Sequence, residues 1–400
     1  MRILHVLPSL SPETGGPAQS VPRLCKAIGK AGNEVVLYTT YWPKDDPSVS
    51  PEGSEKAGDG FTIRIFPIKP SRVTGNLPHS PALLKSLRNH CKEFDLVVNH
   101  SLWNPIASSA MRILRHNLVI YAVMPHGMLD PVVLRRNRWK KIPWAFLWER
   151  LNVENANLIL FNTPAEERKA RQSGWSLRRT FIFPHIVELQ DWKELPPRSQ
   201  FEMQFPQVRG SEVILFAGRI NWVKNLDKLI EALAIVRQTR PLAILVCVGP
   251  DNDGHRVELE RRAQALGIHH HTLFTGLLDG EDLKAAYARG DVFAIVSQKE
   301  NFGLAAADAL ASGLPIVVSE GVDSCQDWVS AGPIRRVSPT PEAIATALID
   351  LLERSASLGL PDREAQELAA KEWGESRIPS LIATCQSLLP EKNLESTKRI

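Results

Sequence analysis

The sequence lacks the features that define several protein classes. It has no apolar run of about 18 residues, so no helix is expected to cross a bilayer. Its five cysteines are far apart, with no C-x-x-C pair and no Cys/His spacing suited to zinc, which indicates a reducing, cytosolic setting. Its net charge of +4 is too small to indicate nucleic-acid binding by itself.

The chain is long and apolar enough for more than one folded domain. Its 400 residues correspond to two or three domains at about 150 residues each. Hydrophobic residues make up 44% and charged residues 23%, which excludes disordered and collagen-like classes. The start, MRILHVLPSL, has one basic residue and an apolar stretch broken by His5 and Pro8, which is typical of a first strand rather than a signal peptide.

Short runs of Val, Ile and Leu alternate with helical patterns, which is typical of parallel strands joined by crossover helices. The first helix is predicted from Pro17 to Ala31. The first series of predicted strands is Ile3 to Leu7, Glu34 to Thr39, Ile63 to Pro67, Leu96 to Asn99, Leu118 to Val123, Leu158 to Phe161 and Phe181 to Phe183. The second series is Val213 to Phe216, Ala243 to Val248, Thr272 to Phe274, Val292 to Val296 and Pro315 to Val318.

The two series predict two doubly wound α/β domains. The stretch between them, 187–210, is polar, contains proline and has no clear period. The predicted parts are a first Rossmann-like domain on the acceptor side (1–190), a linker (191–210), a second Rossmann-like domain that binds a nucleotide sugar (211–375), and a C-terminal helix and tail that can pack back on the first domain (376–400). Ligands of such sheets bind beyond the carboxyl ends of the strands, so the loops there are expected to carry the chemistry.

The loop after the first strand has no G-x-G-x-x-G, which argues against a dinucleotide dehydrogenase. It has instead Gly15 and Gly16 before Pro17, at a predicted helix start. Adjacent glycines permit positive φ angles and the close approach of a ligand. A flexible turn before a helix is the alternative interpretation.

Arg219 and Lys224 follow the first strand of the second series, just before or at a helix start. Unpaired backbone N–H groups and the helix dipole favour an anion there, so a diphosphate is the natural partner. Two solvated surface cations are the alternative.

The stretch KENFGLAAADAL places two carboxylates around another predicted helix start. Phe302, Gly303 and Leu304 would offer first-turn amides to phosphate oxygens. Glu300 can accept hydrogen bonds from sugar hydroxyls, and Asp308 from another pair of hydroxyls, such as those of a ribose. One ligand with a sugar, a diphosphate and a nucleoside would use all of these groups.

These motifs resemble the retaining glycosyltransferases of family 4, which have the two-domain GT-B fold. The resemblance is carried by GRINWVKN, GPDNDGHRVEL and the stretch from FTGLLDGEDL to GLPIVVSE. GGPAQSVPRL and MPHGMLDP are similar to bacterial polysaccharide-assembly members of the family. The resemblance implies an α/β protein of GT-B architecture, with two Rossmann-like domains that face a cleft.

The resemblance also implies roles for particular residues. In the family signature, Glu, seven residues, Glu, the first carboxylate binds the donor sugar and the second binds the ribose; here the second is an aspartate, Asp308. The family's Arg and Lys pair binds the diphosphate. The implied donor-binding set is Gly15, Gly16, Arg219, Lys224, Glu300, Asn301, Phe302, Gly303, Leu304 and Asp308. A second departure is PHIVELQDW at 184–192, where the family has an Asn-Gly turn.

Three histidine and tryptophan positions follow predicted strands. His126 resembles the family's cleft histidine and is predicted, with Glu300, to be catalytic and to contact the donor sugar or the reacting centre. His100 and Trp103 are candidates for binding the acceptor sugar, as a polar group and an apolar platform. Packing of Trp103 in the core is the alternative.

Two further motifs have competing interpretations. Asp251 and Asp253 form a D-x-D pattern of the kind that holds a divalent cation in glycosyltransferases of another fold, but the resemblance implies that Arg, Lys and helix amides neutralise the leaving group here, so no metal is expected. The segment 134–151 interleaves basic residues with aromatic ones, which suits an anionic membrane or a lipid-linked acceptor. A half-buried helix with a solvated edge is the alternative, and no nucleic-acid-binding module accompanies the patch.

The resulting expectation is a retaining, metal-independent, hexosyltransferase-like enzyme without cofactor. It would move a sugar from a nucleotide diphosphate sugar to a hydroxyl of a glycan or lipid-linked glycan, in the synthesis of cell-surface polysaccharide, in the cytoplasm or at the inner face of the membrane. Two alternatives stay open: a nucleotide-sugar epimerase of the same fold, and a non-catalytic sugar-nucleotide-binding subunit.

Overall fold

The computed structural model describes residues 1–11, 14–41, 50, 52–71, 75–135, 138–251, 253–326 and 331–390. The chain divides into two compact units. The first consists of Met1–Ile186 and of the segment from Glu375 onward, and the second is Val187–Gly374. Each unit is built on its own sheet of mainly parallel strands, as the alternation of apolar runs and helical patterns predicts.

The strands are β1 Arg2–Val6, β2 Glu34–Tyr41, β3 Ser54–Ala57, β4 Thr62–Pro67, β5 Lys69–Ser71, β6 Gly75–His79, β7 Leu96–His100, β8 Tyr121–Met124, β9 Leu158–Phe161, β10 Thr180–Ile182, β11 Glu212–Ala217, β12 Ala243–Val248, β13 Thr272–Gly276, β14 Val292–Ile295, β15 Ile316–Ser319 and β16 Ile334–Val337. The helices are α1 Pro17–Lys30, α2 Pro81–His90, α3 Pro105–His116, α4 Pro131–Arg135, α5 Arg138–Trp144, α6 Arg150–Glu154, α7 Pro164–Arg171, α8 Arg198–Gln204, α9 Leu226–Thr239, α10 Arg256–Ala265, α11 Gly280–Arg289, α12 Leu304–Ala311, α13 Pro341–Leu358, α14 Arg363–Trp373 and α15 Ile378–Gln386. A π-helical turn, Ala145–Glu149, joins α5 to α6.

The sheet of the first unit has the order β10-β9-β8-β7-β1-β2-β4-β3 and is parallel except for β3. Successive residues of a strand face opposite sides of the sheet, so Ile3 packs in a cluster with residues of α1 and α15, and Leu4 in a cluster with residues of α2 and α3. The central strands are therefore buried on both faces, which explains their continuous apolar runs.

The sheet of the second unit has the order β13-β12-β11-β14-β15-β16, and its pairs are parallel. Its first strand, β11, lies between β12 and β14. The chain adds β12 and β13 on one side of β11 and then β14, β15 and β16 on the other side. Ligands of such sheets bind at the carboxyl ends of the strands where this direction changes.

The expectation of two Rossmann-like α/β domains is confirmed, and the predicted strands occur with small shifts at their ends. Four strands were not predicted: β3, β5, β6 and β16. The sequences of β3 and β16, SEKA and IRRV, are polar, and both strands lie at the edge of a sheet. An edge strand does not require two apolar faces, so it leaves little signal in a search for apolar runs.

The predicted linker, 191–210, belongs to the second unit, which is a correction. It contains α8, the short 3-10 segment Pro206–Val208 and the end of another, Leu189–Trp192. Trp192, Phe201 and Val208 are buried in that unit's core. These anchors are widely spaced among polar and proline residues, so they form no period. Within the described residues, no helix is both long and apolar enough to span a bilayer.

Candidate functional site

The loops after β11 and β14 meet because the two strands are neighbours in the second sheet. The backbone N–H of Gln298 donates to the carbonyl of Val223 at 2.8 Å. Asn225, with a φ of 51°, precedes α9, and its side-chain amide donates to the carbonyl of Val296 at 2.9 Å. These bonds fix the start of α9 against the end of β14.

Lys224 and Glu300 form an ion pair between Nζ and Oε2 across these two loops. Their side chains are 16% and 24% exposed, so the pair is largely screened from solvent but still reachable. Arg219, five residues before Lys224, is exposed. The structure thus brings together Lys224 and Glu300, which the sequence separates by 76 positions.

The backbone of Glu300 is held on both sides by the chain after β15. Its N–H donates to the carbonyl of Gly321 at 2.9 Å, and its carbonyl accepts from the N–H of Asp323 at 2.9 Å. Since backbone bonds fix the residue, the carboxylate can exchange its partner without movement of the loop.

Gly303 is the N-cap of α12 and has a φ of 76°, in the left-handed region that favours glycine. The first N–H groups of a helix have no acceptor inside the helix, so α12 presents such groups close to Glu300. The aromatic ring of Phe302 packs against Trp373, so this residue can contribute to a ligand only through its backbone. Asp308 lies on α12 and is 5% exposed.

The predicted glycine loop lies in the first unit. Gly15 has a φ of 96°, and Gly16 is the N-cap of α1, where its carbonyl accepts from the N–H groups of Gln19 and Ser20. A positive φ at Gly15 is the conformational freedom that the sequence predicted for this turn.

The carboxyl edge of the first sheet carries a row of four histidines that the sequence reasoning did not recognise. The rings of His5, His100, His126 and His185 follow one another with centroid distances of 5.2, 5.3 and 5.4 Å and interplanar angles of 19°, 21° and 11°. His5 Nδ1 is 2.9 Å from His100 Nε2, and His100 Nδ1 is 3.0 Å from His126 Nε2. Below, these four residues are called the histidine row.

A signal for this row is present in the sequence. His5 is two residues after Ile3, His100 follows Leu96 and Val98, His126 follows Ala122 and Met124, and His185 follows Phe183; these apolar residues all pack in the cluster with α1 and α15. Residues i and i+2 of a strand share a face, so the four histidines continue that face at the ends of their strands. Asn162 continues the same series on β9, after Leu158 and Leu160.

The row changes the interpretation of His100. His100 is completely buried, and both of its ring nitrogens are bonded to other histidines. A direct contact of its ring with an acceptor sugar is therefore incompatible with the structure, which corrects that expectation.

His126 is partly exposed and has a φ of 52°, and its Nδ1 lies 3.5 Å from the side-chain nitrogen of Asn162.

Trp103 packs inside the first unit. Its indole N–H donates to the carbonyl of Met128 at 3.0 Å, and its ring lies 5.8 Å from that of Trp175. Its backbone N–H donates to the carboxylate of Glu149 at 2.7 Å. The alternative of core packing describes Trp103 better than that of an acceptor platform.

Asp251 has a structural role. Its carboxylate accepts the backbone N–H groups of His255 at 2.9 Å and Arg256 at 3.1 Å, where α10 begins. Asn252, between the two aspartates of the D-x-D pattern, lies outside the described residues. Over the part of the chain that is described, no three His, Cys, Asp or Glu side chains are grouped so that they could hold a metal ion.

Burial lowers the pKa of each ring in the histidine row, which favours the uncharged form. It lowers the pKa of His5 and of His126 to about 3, and those of His100 and His185 well below their ordinary value. Neighbouring histidines and, for His185, Arg23 lower the pKa further.

We expect the free energy of unfolding to decrease as the pH falls from 7 to 5. The pKa of each histidine is lowered by folding, so below about pH 6.5 the unfolded chain binds protons that the folded chain does not. Carboxylates with ordinary pKa values near 4 change the pH dependence of the stability mainly below pH 5. Urea unfolding at pH 7, 6 and 5 measures the effect; a stability that stays constant or rises toward pH 5 would contradict neutral buried rings.

Two family descriptions match the chain. "Glycosyl transferase 4-like domain" matches residues 15–185, and "Glycosyl transferases group 1" matches residues 199–373. An uncharacterised glycosyltransferase of Methanocaldococcus jannaschii is 30% identical over 161 residues, which are 40% of this chain and 38% of that protein. A D-inositol 3-phosphate glycosyltransferase of Corynebacterium urealyticum is 28% identical over 84% of this chain and 80% of its own length.

Among solved structures, the chain is similar to HepE of Anabaena in complex with UDP. The TM-score is 0.74 at 19% sequence identity, over 97% of this chain and 100% of HepE. A second structure of HepE, in complex with UDP-glucose, has a TM-score of 0.72 at 18% identity, over 97% of this chain and 100% of HepE. At this level of identity the similarity concerns the fold.

Proposed function

Since this chain is a glycosyltransferase with the GT-B fold, we propose that it transfers a sugar, with retention of anomeric configuration, from a nucleotide diphosphate sugar to a hydroxyl of a glycan or lipid-linked glycan. The observation that carries the proposal is the ion pair of Lys224 and Glu300 next to the N-terminus of α12. A cation, a carboxylate and free helix amides lie together, which are the groups that a diphosphate joined to a sugar requires.

In the proposed complex, Lys224 and Arg219 bind the diphosphate and Glu300 binds hydroxyls of the donor sugar. First-turn amides of α12 bind phosphate oxygens, Asp308 binds the ribose, and His126 contacts the donor sugar. Lys224 would exchange its bond to Glu300 for bonds to phosphate, so its charge is neutralised by Glu300 before binding and by the diphosphate after it. Glu300 would then accept hydrogen bonds from the sugar hydroxyls in place of its bond to Lys224. This exchange avoids leaving a buried charge without a partner in either state.

The reaction is proposed to occur on one face of the donor sugar. The bond between the anomeric carbon and the diphosphate oxygen breaks, and its electron pair leaves with the diphosphate. The acceptor oxygen forms the new bond on the same face, and its proton passes to a diphosphate oxygen. Glu300 stabilises the positive charge that builds up on the sugar, and Lys224 and Arg219 stabilise the negative charge on the leaving group.

A thermal-shift screen of nucleotide diphosphate sugars tests the proposal. UDP-sugars come first because HepE was solved with UDP and with UDP-glucose. A donor at 100 times its Kd should add about 2.7 kcal/mol of stability. Donors that stabilise the protein are then incubated with and without glycan acceptors. Transfer to an acceptor or slow donor hydrolysis without a change of the sugar's configuration elsewhere in the ring supports the transferase. An epimerised sugar formed without any acceptor indicates an epimerase, and binding without turnover indicates a non-catalytic subunit.

Sugar transfer is proposed to need no metal. Glycosyltransferase activity should be unchanged after dialysis against EDTA, because cationic side chains and helix amides take the place of a divalent ion. The assay compares rates before dialysis, after dialysis and after addition of Mg²⁺ or Mn²⁺. Loss of activity that either ion restores would contradict this proposal and direct attention back to Asp251 and Asp253.

We further propose that the protein works at the inner face of a membrane in cell-surface polysaccharide synthesis, and the support comes from α5, the π-helical turn and α6. Polar groups of this segment point inward: the carboxylate of Glu149 accepts from the hydroxyl of Ser108 at 2.6 Å, and the amide of Asn152 donates to the carbonyl of Ser108 at 3.0 Å. Burial raises the pKa of Glu149. Polar side chains, Glu149 and Asn152, thus attach this segment to the rest of the first unit.

Apolar side chains of the same segment face outward. Exposed fractions are 70% for Trp139, 55% for Ile142, 81% for Phe146 and 46% for Leu151. Basic residues are interleaved in the sequence, from Arg135 to Arg150; Arg136 lies outside the described residues. Exposed aromatic and aliphatic residues beside cations match the boundary of a bilayer that contains anionic lipid.

Sedimentation with vesicles tests this surface. We expect binding to vesicles that contain phosphatidylglycerol and little binding to vesicles of phosphatidylcholine alone. The double variant Trp139→Ser, Phe146→Ser should lose the binding, whereas Leu118→Ser, which removes a residue of the same unit that is 91% exposed, should keep it. Vesicle binding by the double variant as strong as that of wild type would contradict the proposal. A concentration-dependent oligomer that the double variant no longer forms would also contradict it, because a second copy would then cover this surface.

A further inference from the structure

The histidine row crosses neighbouring strands of the first sheet at their carboxyl ends. In the order β1, β7, β8, β9 and β10, the strands contribute or lead into His5, His100, His126, Asn162 and His185. The centroid distances of 5.2 to 5.4 Å are close to the spacing of about 4.8 Å between paired strands. The sheet therefore sets the spacing of His5, His100 and His126, which belong to or follow the neighbouring strands β1, β7 and β8. His185 follows β10, which β9 separates from β8, so the strand spacing does not set its distance from His126.

The hydrogen bonds couple the rings. A neutral imidazole has one N–H donor and one acceptor nitrogen, and His100 uses both of its nitrogens within the row. If His100 donates through Nδ1, its Nε2 must accept from His5; if it accepts at Nδ1, its Nε2 must donate to His5. The tautomers of His5, His100 and His126 therefore change together or not at all.

The row has a closed end. His5 Nε2 is buried and has no hydrogen-bond partner within the described residues. It borders a cavity of about 10 Å³ whose other walls are mainly apolar, among them Leu24, Leu160 and Leu381. Such a space offers a water molecule too few polar partners. Protons cannot leave the row by this route, which argues for a fixed arrangement and against a path for protons.

The other end of the bonded series is open. His126 is held through Nε2 by His100, and its ring lies between those of His100 and His185 at small interplanar angles. Among the described residues, its Nδ1 has a long contact, 3.5 Å, to the side-chain nitrogen of Asn162. His126 is the partly exposed member of the bonded series, and Nδ1 is the ring nitrogen that its bond to His100 leaves available for a substrate hydroxyl.

We propose that His5 and His100 are positioning residues for sugar transfer, which hold the ring of His126 in one orientation and one tautomer and leave its Nδ1 available to the substrate. This inference rests on the proposed function, since it assumes that His126 contacts the donor sugar. His5 would act on the reaction through two hydrogen bonds, without contact with any substrate.

Two substitutions at His5 separate hydrogen bonding from packing. His5→Phe keeps an aromatic ring in the row but removes Nδ1. His5→Asn loses the ring but places an amide near the position of Nδ1. If the row acts through its hydrogen bonds, kcat/KM should fall about tenfold in His5→Phe and should be restored in large part in His5→Asn. His116→Phe, at an exposed histidine of the same unit, is the control and should behave like wild type.

Wild-type activity in His5→Phe, or a loss in His5→Asn as large as in His5→Phe, would overturn the inference. Long-range ¹H–¹⁵N NMR of histidine-labelled protein gives a second readout that does not depend on turnover or on the folding of a variant. The wild-type His126 ring should be a single neutral tautomer from pH 8 to pH 5. Averaged tautomers or a protonated ring at pH 7 would also overturn it.

The two proposals fail in different ways. If wild-type protein binds and transfers no sugar nucleotide, the proposed function fails, while the NMR spectrum still reports whether the row fixes His126. If the protein transfers sugar and depends on Lys224 but tolerates His5→Phe, the proposed function stands and the positioning role of His5 and His100 is wrong.

Discussion

Lys224→Ala is expected to reduce kcat/KM for sugar transfer by at least tenfold, and it should weaken donor binding by a similar factor. A charge-assisted hydrogen bond to a phosphate contributes roughly 1.5 to 3 kcal/mol, and about 1.4 kcal/mol is a factor of ten. The substitution also removes the counter-charge of Glu300, whose side chain is only 24% exposed. An unpaired carboxylate would then repel the diphosphate as well.

Arg219→Ala should also cost at least tenfold, but its effect should be the smaller of the two. Arg219 is exposed, so solvent screens its charge more strongly than that of Lys224, which is 16% exposed. Lys284→Ala is the matched control, because Lys284 is paired with Glu281 at 3.0 Å on another helix of the same unit. Near-normal kinetics in both Lys224→Ala and Arg219→Ala would remove the diphosphate assignment.

Glu300→Gln should reduce kcat on the order of 10²-fold with little loss of donor affinity. The amide keeps the size of the side chain but cannot neutralise the positive charge that develops at the anomeric carbon, so the variant lacks an interaction that strengthens in the transition state. The substitution also releases Lys224 from its ion pair, which leaves that cation free for the diphosphate. We therefore expect a donor KM that is unchanged or lower.

Asp308→Asn should have the opposite pattern. An interaction with the ribose changes little during the reaction, so its removal should raise the donor KM with little effect on kcat. Both variants are assayed at saturating acceptor, and their unfolding temperatures are compared because Asp308 is 5% exposed. Equal losses of kcat in Glu300→Gln and Asp308→Asn would contradict the division of roles between the two carboxylates.

The sequence predicts the second unit's loops well because their neighbours in space are set by simple rules. Apolar runs locate β11 and β14, parallel sheets bring the ends of strands to one edge, and glycine marks the start of α12. The sequence does not show that β14 pairs with β11. It therefore does not predict the ion pair of Lys224 with Glu300.

The first unit illustrates a different limit. Each member of the histidine row is visible at the end of a predicted strand, and period-2 alternation predicts its face. The row itself depends on the strand order β10-β9-β8-β7-β1. This order places β1 beside β7, although five strands, β2 to β6, and the helices α1 and α2 lie between them in the described chain. Taken as a single residue, His100 is a reasonable candidate for an acceptor contact, whereas its partners in the row decide its role.

The return of α15 to the first unit affects how the protein is made. Ile378, Leu381 and Cys385 fill the same apolar cluster as Ile3 and Leu24, so this core is completed only after α15 has left the ribosome. The second unit is one uninterrupted stretch of sequence and can fold earlier. A nascent first unit therefore exposes an incomplete apolar face throughout the synthesis of the second, and a chain terminated after Gly374 would keep that face open.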